Sequence, residues 1–198
     1  GPRTRINGVK VFADGGSCRI PAMSVEYPGG GKGDLFFSQE EMNGIVKEVD
    51  DAGFQVAIHA LGDRALEQVQ NSLVNLLAGE ENKNRHRIEH NSTIRTDLMD
   101  LYSEVGINAT IFGAYPTCIR TMDGGEFEYL LSDDYGAWEW PWRDLVDANP
   151  ELRIAWHSDY PVFGNLNPLY HMWGMVTRKD FNDEGAVCVP PDWLAEGV

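Results

Sequence analysis

Short apolar runs alternate along this chain with stretches whose apolar residues recur every three or four positions. Five of the runs predict strands. The first covers residues 9–13 and is closed by Asp14-Gly15-Gly16. The second covers residues 54–59, and its Val56-Ala57-Ile58 segment reads as buried on both faces. Strands at 87–90, 107–112 and 152–156 follow, the last running into His157-Ser158-Asp159. Helices fall between them. Ser38 is the N-cap of one that reaches about residue 52, with Glu41 at the capping-box spacing and Met42, Ile45, Val46 and Val49 on one face. Gly62 or Asp63 opens a second, with Leu66, Val69, Leu73, Leu76 and Leu77 apolar. Residues 96–105 predict a third helix, capped by Gly106, and residues 142–148 a short fourth. Asn167-Pro168 opens a last one, to about residue 178. Residues 121–141 are rich in aromatic and acidic side chains and long for a loop, which suggests a lid or substrate-facing excursion. Their Trp and Tyr residues suit a pocket lining or a packed surface excursion equally.

Regular alternation of strand and helix calls for an α/β fold with a mostly parallel sheet. A doubly wound open sheet and part of a TIM barrel both satisfy it. In either, the site forms at the C-terminal ends of the strands, where the following loops leave it open.

His59, His90 and Asp159 each stand at that end of an apolar strand, and Lys10 lies within another. Two imidazoles and a carboxylate from separate strands suit a borderline metal such as zinc, with positions left for water. Each has a plainer reading. A strand-end His is commonly a satisfied polar residue, Asp159 can cap a turn before Pro161, and Lys10 can be a solvated residue on a half-exposed strand. Their coincidence at one edge favours a metal hydrolase. His86 and His171 read as structural, and His157 points to the side of Asp159 if its strand continues that far.

Composition narrows the classes. With 42% hydrophobic and 24% charged residues, 198 residues suffice for one globular domain. A net charge of −15 argues against nucleic-acid binding. No apolar run reaches the ~20 residues that cross a bilayer, so no membrane span is expected. Cys18, Cys118 and Cys188 are scattered and odd in number, which favours a reducing cytoplasm over a disulfide framework.

The motifs also form an ordered set. Val9-Lys10-Val11-Phe12-Ala13-Asp14-Gly15 is followed by Gln55-Val56-Ala57-Ile58-His59-Ala60-Leu61-Gly62-Asp63-Arg64-Ala65 and Arg85-His86-Arg87-Ile88-Glu89-His90. Then come His157-Ser158-Asp159-Tyr160-Pro161-Val162 and Asn167-Pro168-Leu169 with Val176-Thr177-Arg178. Together they resemble the amidohydrolase superfamily, and most nearly its amidohydrolase family 3 branch, which includes N-substituted formamide deformylase-like metal-dependent hydrolases. The block from Ile58 to Ala65 is the most specific.

That resemblance implies a distorted TIM-type (β/α)8 barrel with metals at the C-terminal face. By it, Lys10 matches the fourth-strand lysine, carbamylated and bridging two ions in two-metal members. His59 and His90 match the metal-binding histidines after strands five and six. Asp159 matches the eighth-strand aspartate, which is a metal ligand and the catalytic base. The implied activity is hydrolysis of non-peptide carbon–nitrogen bonds in small amide-type substrates by metal-activated water. One or two divalent ions are implied, zinc by default, with iron or manganese as alternatives. The family's first-strand His-x-His pair has no counterpart among the five histidines. Residues 1–198 therefore correspond to strands four to eight, a single incomplete catalytic domain without strands one to three or the family's β-sandwich. Such an arc leaves strand edges and an apolar face uncovered, so self-association is expected, most simply as a two-fold dimer. Weak metal occupancy, an unmodified Lys10 and impaired activity are expected with it. A non-catalytic α/β module that binds a small ligand, and an inert fragment of the same ancestry, remain as alternatives.

Overall fold

A computed structural model describes residues 4–16, 20–112, 133–159 and 167–177. The elements are β1 (Gly8–Phe12), α1 (Gln39–Asp51), β2 (Gln55–Ala60), α2 (Asp63–Leu77) and β3 (Arg87–His90). They continue with α3 (Leu101–Val105), β4 (Asn108–Phe112), α4 (Trp142–Ala148), β5 (Ile154–His157) and α5 (Pro168–Thr177). The strands make one parallel sheet in the order β1-β2-β3-β4-β5. Spatial order equals sequence order, so the reversal that marks a doubly wound sheet is missing among the described strands. Cys18, Cys118 and Cys188, residues 121–132 of the expected excursion and the chain beyond 177 lie outside the described residues.

The capping box forms as its spacing predicts. Ser38 Oγ accepts from the Glu41 amide at 3.2 Å, and Glu41 Oε2 accepts from the Ser38 amide at 2.8 Å. Met42, Val46 and Val49 then face the sheet. Replacing Ser38 by Ala is expected to cost about 1 kcal/mol. Urea unfolding reads this as a lower midpoint at constant slope, and an unmoved midpoint would count against the cap.

The strands' period of two separates the sheet's faces. Val11, Val56, Ile58, Ala60, Ile88 and Ala109 pack with Met42, Val46, Leu66, Val69 and Leu73 in one core. The other face carries Lys10, Arg87, Glu89, Asn108 and Thr110 beside the small Ala57 and Ala155. Among the described residues this open face is thus mostly polar, with Phe12 exposed and Phe112 buried on the same parity, and differs from the apolar face expected from sequence. Exposed large apolar side chains sit at Ile6, Val9 and Phe12 along the β1 edge, at Phe36, and at Leu169, Met172 and Val176 on α5.

The predicted helix over 96–105 is broken. A 3-10 turn at Thr96–Leu98 precedes a short α3. The cause is Asn149, which is buried after α4. Its Nδ2 donates to the Met99 carbonyl at 2.9 Å, and its Oδ1 accepts from the Ser103 amide at 3.1 Å. Those two backbone groups would otherwise bond to each other as an i→i+4 helical pair. The aromatic residues that follow the undescribed stretch serve packing: Tyr135 and Trp138 lie against Met23 and Tyr27, and Trp140 and Trp142 are buried.

Candidate active site

The turn after β2 explains the most specific sequence block. Gly62 passes so close to Ala22 that a Cβ there would lie 2.0 Å from the Ala22 carbonyl oxygen. Asp63, fully buried at the start of α2, accepts from the Ser24 amide at 2.8 Å, Ser24 Oγ at 2.5 Å and Arg95 Nη1 at 3.0 Å. The Arg64 amide bonds the Ala22 carbonyl, and its guanidinium bonds the Gly33 carbonyl at 2.8 Å. This clamp closes the loop from Ile20 to Gly33 over the β1 and β2 ends.

Asp14, just past β1, is 1% exposed. Its carboxylate accepts from the amides of Ala22 (2.9 Å), Leu61 (3.1 Å) and Gly62 (2.8 Å), and lies 3.5 Å from His59 Nε2. That nitrogen also faces the Gly15 carbonyl at 2.9 Å, so it carries the hydrogen. Nδ1 is then the lone-pair nitrogen of His59, and it is buried without a hydrogen-bond partner.

His90 closes β3 on the helix-facing parity of Ile88, but its φ of 77° and the 52° of Asn91 turn the chain there. Asn91 holds the turn: its Nδ2 donates to the carbonyls of Ile88 (2.9 Å) and Thr110 (2.8 Å), and its Oδ1 accepts from the Tyr102 hydroxyl. The His90 ring thereby lies between two others, 4.4 Å from His59 and 4.7 Å from His157 between centroids, both edge to face. His157 Nε2 is likewise buried and without a hydrogen-bond partner.

Beside this row a cleft of about 490 Å³ opens between Lys10, Arg87, Glu89, His90, His157, Ser158 and Asp159. Asp159 has left-handed backbone, φ 55°, so the strand does not continue to it. Burial lowers the pKa of all three imidazoles, that of His90 to about 2 with the neighbouring His59, His157 and Lys10 adding to the effect. Desolvation along the cleft pulls the Lys10 ammonium down, and Glu89 and Asp159 pull it back up. Glu89 is held below the usual carboxylate range by Thr110, Arg87 and Lys10, against the opposing effect of burial.

Neutral imidazoles with buried, unpartnered nitrogens have the donor chemistry a borderline divalent metal requires. The convergence is incomplete: among the described residues, no three His, Cys, Asp or Glu side chains are placed to hold one ion. The residues fit part of a donor set.

The structure thus brings Lys10, His90 and Asp159 to one cleft and sets His59 against His90. Sequence reasoning passed over Asp14, Arg87 and Glu89 and left His157 undecided. The alternation of Arg87 and Glu89 about Ile88 in β3, with Lys10 alone between Val9 and Val11 in β1, was the available signal for the cleft wall. His86 is structural as read: buried, it accepts from the Val56 amide at 3.0 Å through Nδ1 and meets Asp50 Oδ1 at 2.9 Å through Nε2.

The profile of a family described as "Amidohydrolase family" matches residues 1–195. Protein LONG AFTER FAR-RED 3 of Arabidopsis thaliana is 24% identical over 192 residues, 95% of this chain and 30% of its own length. Crystal structures of an uncharacterized metal-dependent hydrolase from Pyrococcus horikoshii OT3 and another from Pyrococcus furiosus superpose with TM-scores of 0.73 and 0.73. Their identities are 22% and 20%; they cover 95% and 98% of this chain and 36% and 37% of their own. The chain spans about a third of the length of these relatives.

Proposed function

This chain belongs to the amidohydrolase family, and on that premise we propose that it supplies strands four to eight of a TIM-type barrel whose strand-end site hydrolyses non-peptide carbon–nitrogen bonds. The observation that carries this is the row of neutral imidazoles His59, His90 and His157 beside a cleft holding Lys10 and Asp159. His59, His90 and Asp159 would hold a divalent ion, zinc by preference, and Lys10 would join them only as its carbamate, since an ammonium has no lone pair to give. When bound, such an ion acidifies a water and polarises the substrate carbonyl. Asp159 is the catalytic base: it takes the water's proton and returns it to the leaving nitrogen. The neutral state of His90 keeps its lone pair available, and the ionised Glu89 stabilises the charged form of Lys10. The substrates are small amides of the kind N-substituted formamide deformylase-like enzymes take, and the setting is cytoplasmic.

The incomplete donor set among the described residues favours a finer reading of the 198-residue chain. As a single incomplete catalytic domain it binds metal weakly, leaves Lys10 uncarbamylated and turns over slowly, and its open polar face and β1 edge make it a homodimer. Equilibrium dialysis against zinc tests the site. The wild-type chain is expected to take up an ion that His59→Ala and His90→Ala each weaken by about 100-fold. Equal zinc affinity in all three proteins would overturn the assignment. An amide and formamide panel separates the enzyme from a ligand-binding module of the same fold: saturable binding without turnover would identify the module. Light scattering at micromolar concentration reads the oligomer, and a stable monomer would exclude the dimer.

A further inference from the structure

Asp14 does not line the cleft, and it is 1% exposed. Its carboxylate stands behind the imidazole row and is itself held rigid. Oδ2 accepts from the amides of Ala22 and Gly62. Oδ1 accepts from the Leu61 amide and faces His59 Nε2 at 3.5 Å. The same ring nitrogen meets the Gly15 carbonyl at 2.9 Å. Two oxygens therefore stand before Nε2, and a lone pair there would be repelled by both. The carbonyl takes the hydrogen, and the carboxylate, too distant for a strong bond, attracts the same N–H by its charge. Only the tautomer with hydrogen on Nε2 suits this arrangement, and it leaves the lone pair on Nδ1. Packing holds the ring as well. Phe12 lies 4.9 Å and His90 4.4 Å away between centroids, and a Cβ on Gly16 would stand 3.3 Å from the ring's Cε1.

We propose that Asp14 is a positioning residue for the strand-end site, fixing which His59 nitrogen is free to ligate. The role rests on the reading of His59 as a metal ligand. A partner behind a ligating imidazole changes metal affinity by roughly 10- to 100-fold without touching the ion. Asp14→Asn probes it with little change of shape. One oxygen stays for the amides of Ala22 and Gly62, at the cost of the Leu61 bond. The new NH2 group takes the place of Oδ1, and a donor there favours a lone pair on Nε2.

Long-range proton–nitrogen correlation spectra of the metal-free chain at pH 8 locate the hydrogen, with the His59 signals assigned by their loss in His59→Ala. The wild type is expected to carry it on Nε2. Asp14→Asn should move population to the Nδ1–H tautomer and weaken zinc binding in equilibrium dialysis about tenfold. Ser24→Ala loosens the adjoining loop away from the ring and should alter neither, which separates placement of the imidazole from loop packing. Hydrogen on Nδ1 in the wild type would overturn the proposal without any variant. So would an Asp14→Asn protein that keeps either the wild-type tautomer or the wild-type zinc affinity. Equal zinc affinity in wild type and His59→Ala would overturn the metal reading and this role with it; weakening in His59→Ala but not in Asp14→Asn overturns the role alone.

Discussion

Asp63→Ala is expected to destabilise the chain by about 3 kcal/mol, while Asp97→Ala, on the same arginine, should cost less than about 1 kcal/mol. The difference lies in burial. Asp63 has no exposed side-chain surface, and Asp97 is 66% exposed, so water replaces only the second. Loss of Asp63 leaves the Ser24 amide and hydroxyl without their acceptor and removes a negative charge from the first turn of α2. It does not strand Arg95, which keeps Glu67 at 3.1 Å and Asp97 at 3.0 Å. The cost therefore belongs at the low end for a broken buried pair. Urea unfolding of both variants checks this, and equal midpoints would show that the clamp on Ser24 adds nothing.

A second large effect concerns pH. Burial pushes the Asp14 carboxyl up to about 7, although the amides of Gly62, Ala22 and Leu61 and the charge of Arg64 favour its ionised form. In the unfolded chain the group titrates near 3.9. Between these values the folded state binds more protons than the unfolded state. Stability therefore falls as pH rises from about 4 to about 7 and levels off above. The fall attributable to Asp14 is on the order of 4 kcal/mol, at about 1.4 kcal/mol for each unit of difference. Asp14→Asn, which retains an acceptor oxygen for the loop amides, removes this component of the slope. Unfolding free energies at pH 5 and pH 8 in both proteins read it, and parallel slopes would show that Asp14 stays ionised throughout.

What the sequence made legible was largely local. Strand positions, the Ser38 box and the strand-end placement of His59 and His90 follow from period, cap chemistry and turn residues, all short-range signals. Asp14 was read as a loop residue because its role depends on partners 8, 47 and 48 positions away. The polar face escaped notice because Lys10 is a single odd residue in an apolar run and β3 is only four residues long, and their common side appears only once the strand register sets Lys10, Arg87 and Glu89 together. His157 stayed ambiguous because a strand's alternation could not predict the turn at Asp159.

The wedge of Asn149 between Met99 and Ser103 bears on the order in which the chain assembles. Before α4 docks, nothing occupies the Met99 carbonyl and the Ser103 amide, and the segment 96–105 is free to close the helical bond its sequence encodes. Docking exchanges that local bond for contacts spanning 46 and 50 residues. Contacts of such separation form after the loop between them has lost its freedom. The non-helical form of residues 96–105 is thus a property of the docked state: it is imposed by a side chain about fifty positions away and not by the segment's own pattern.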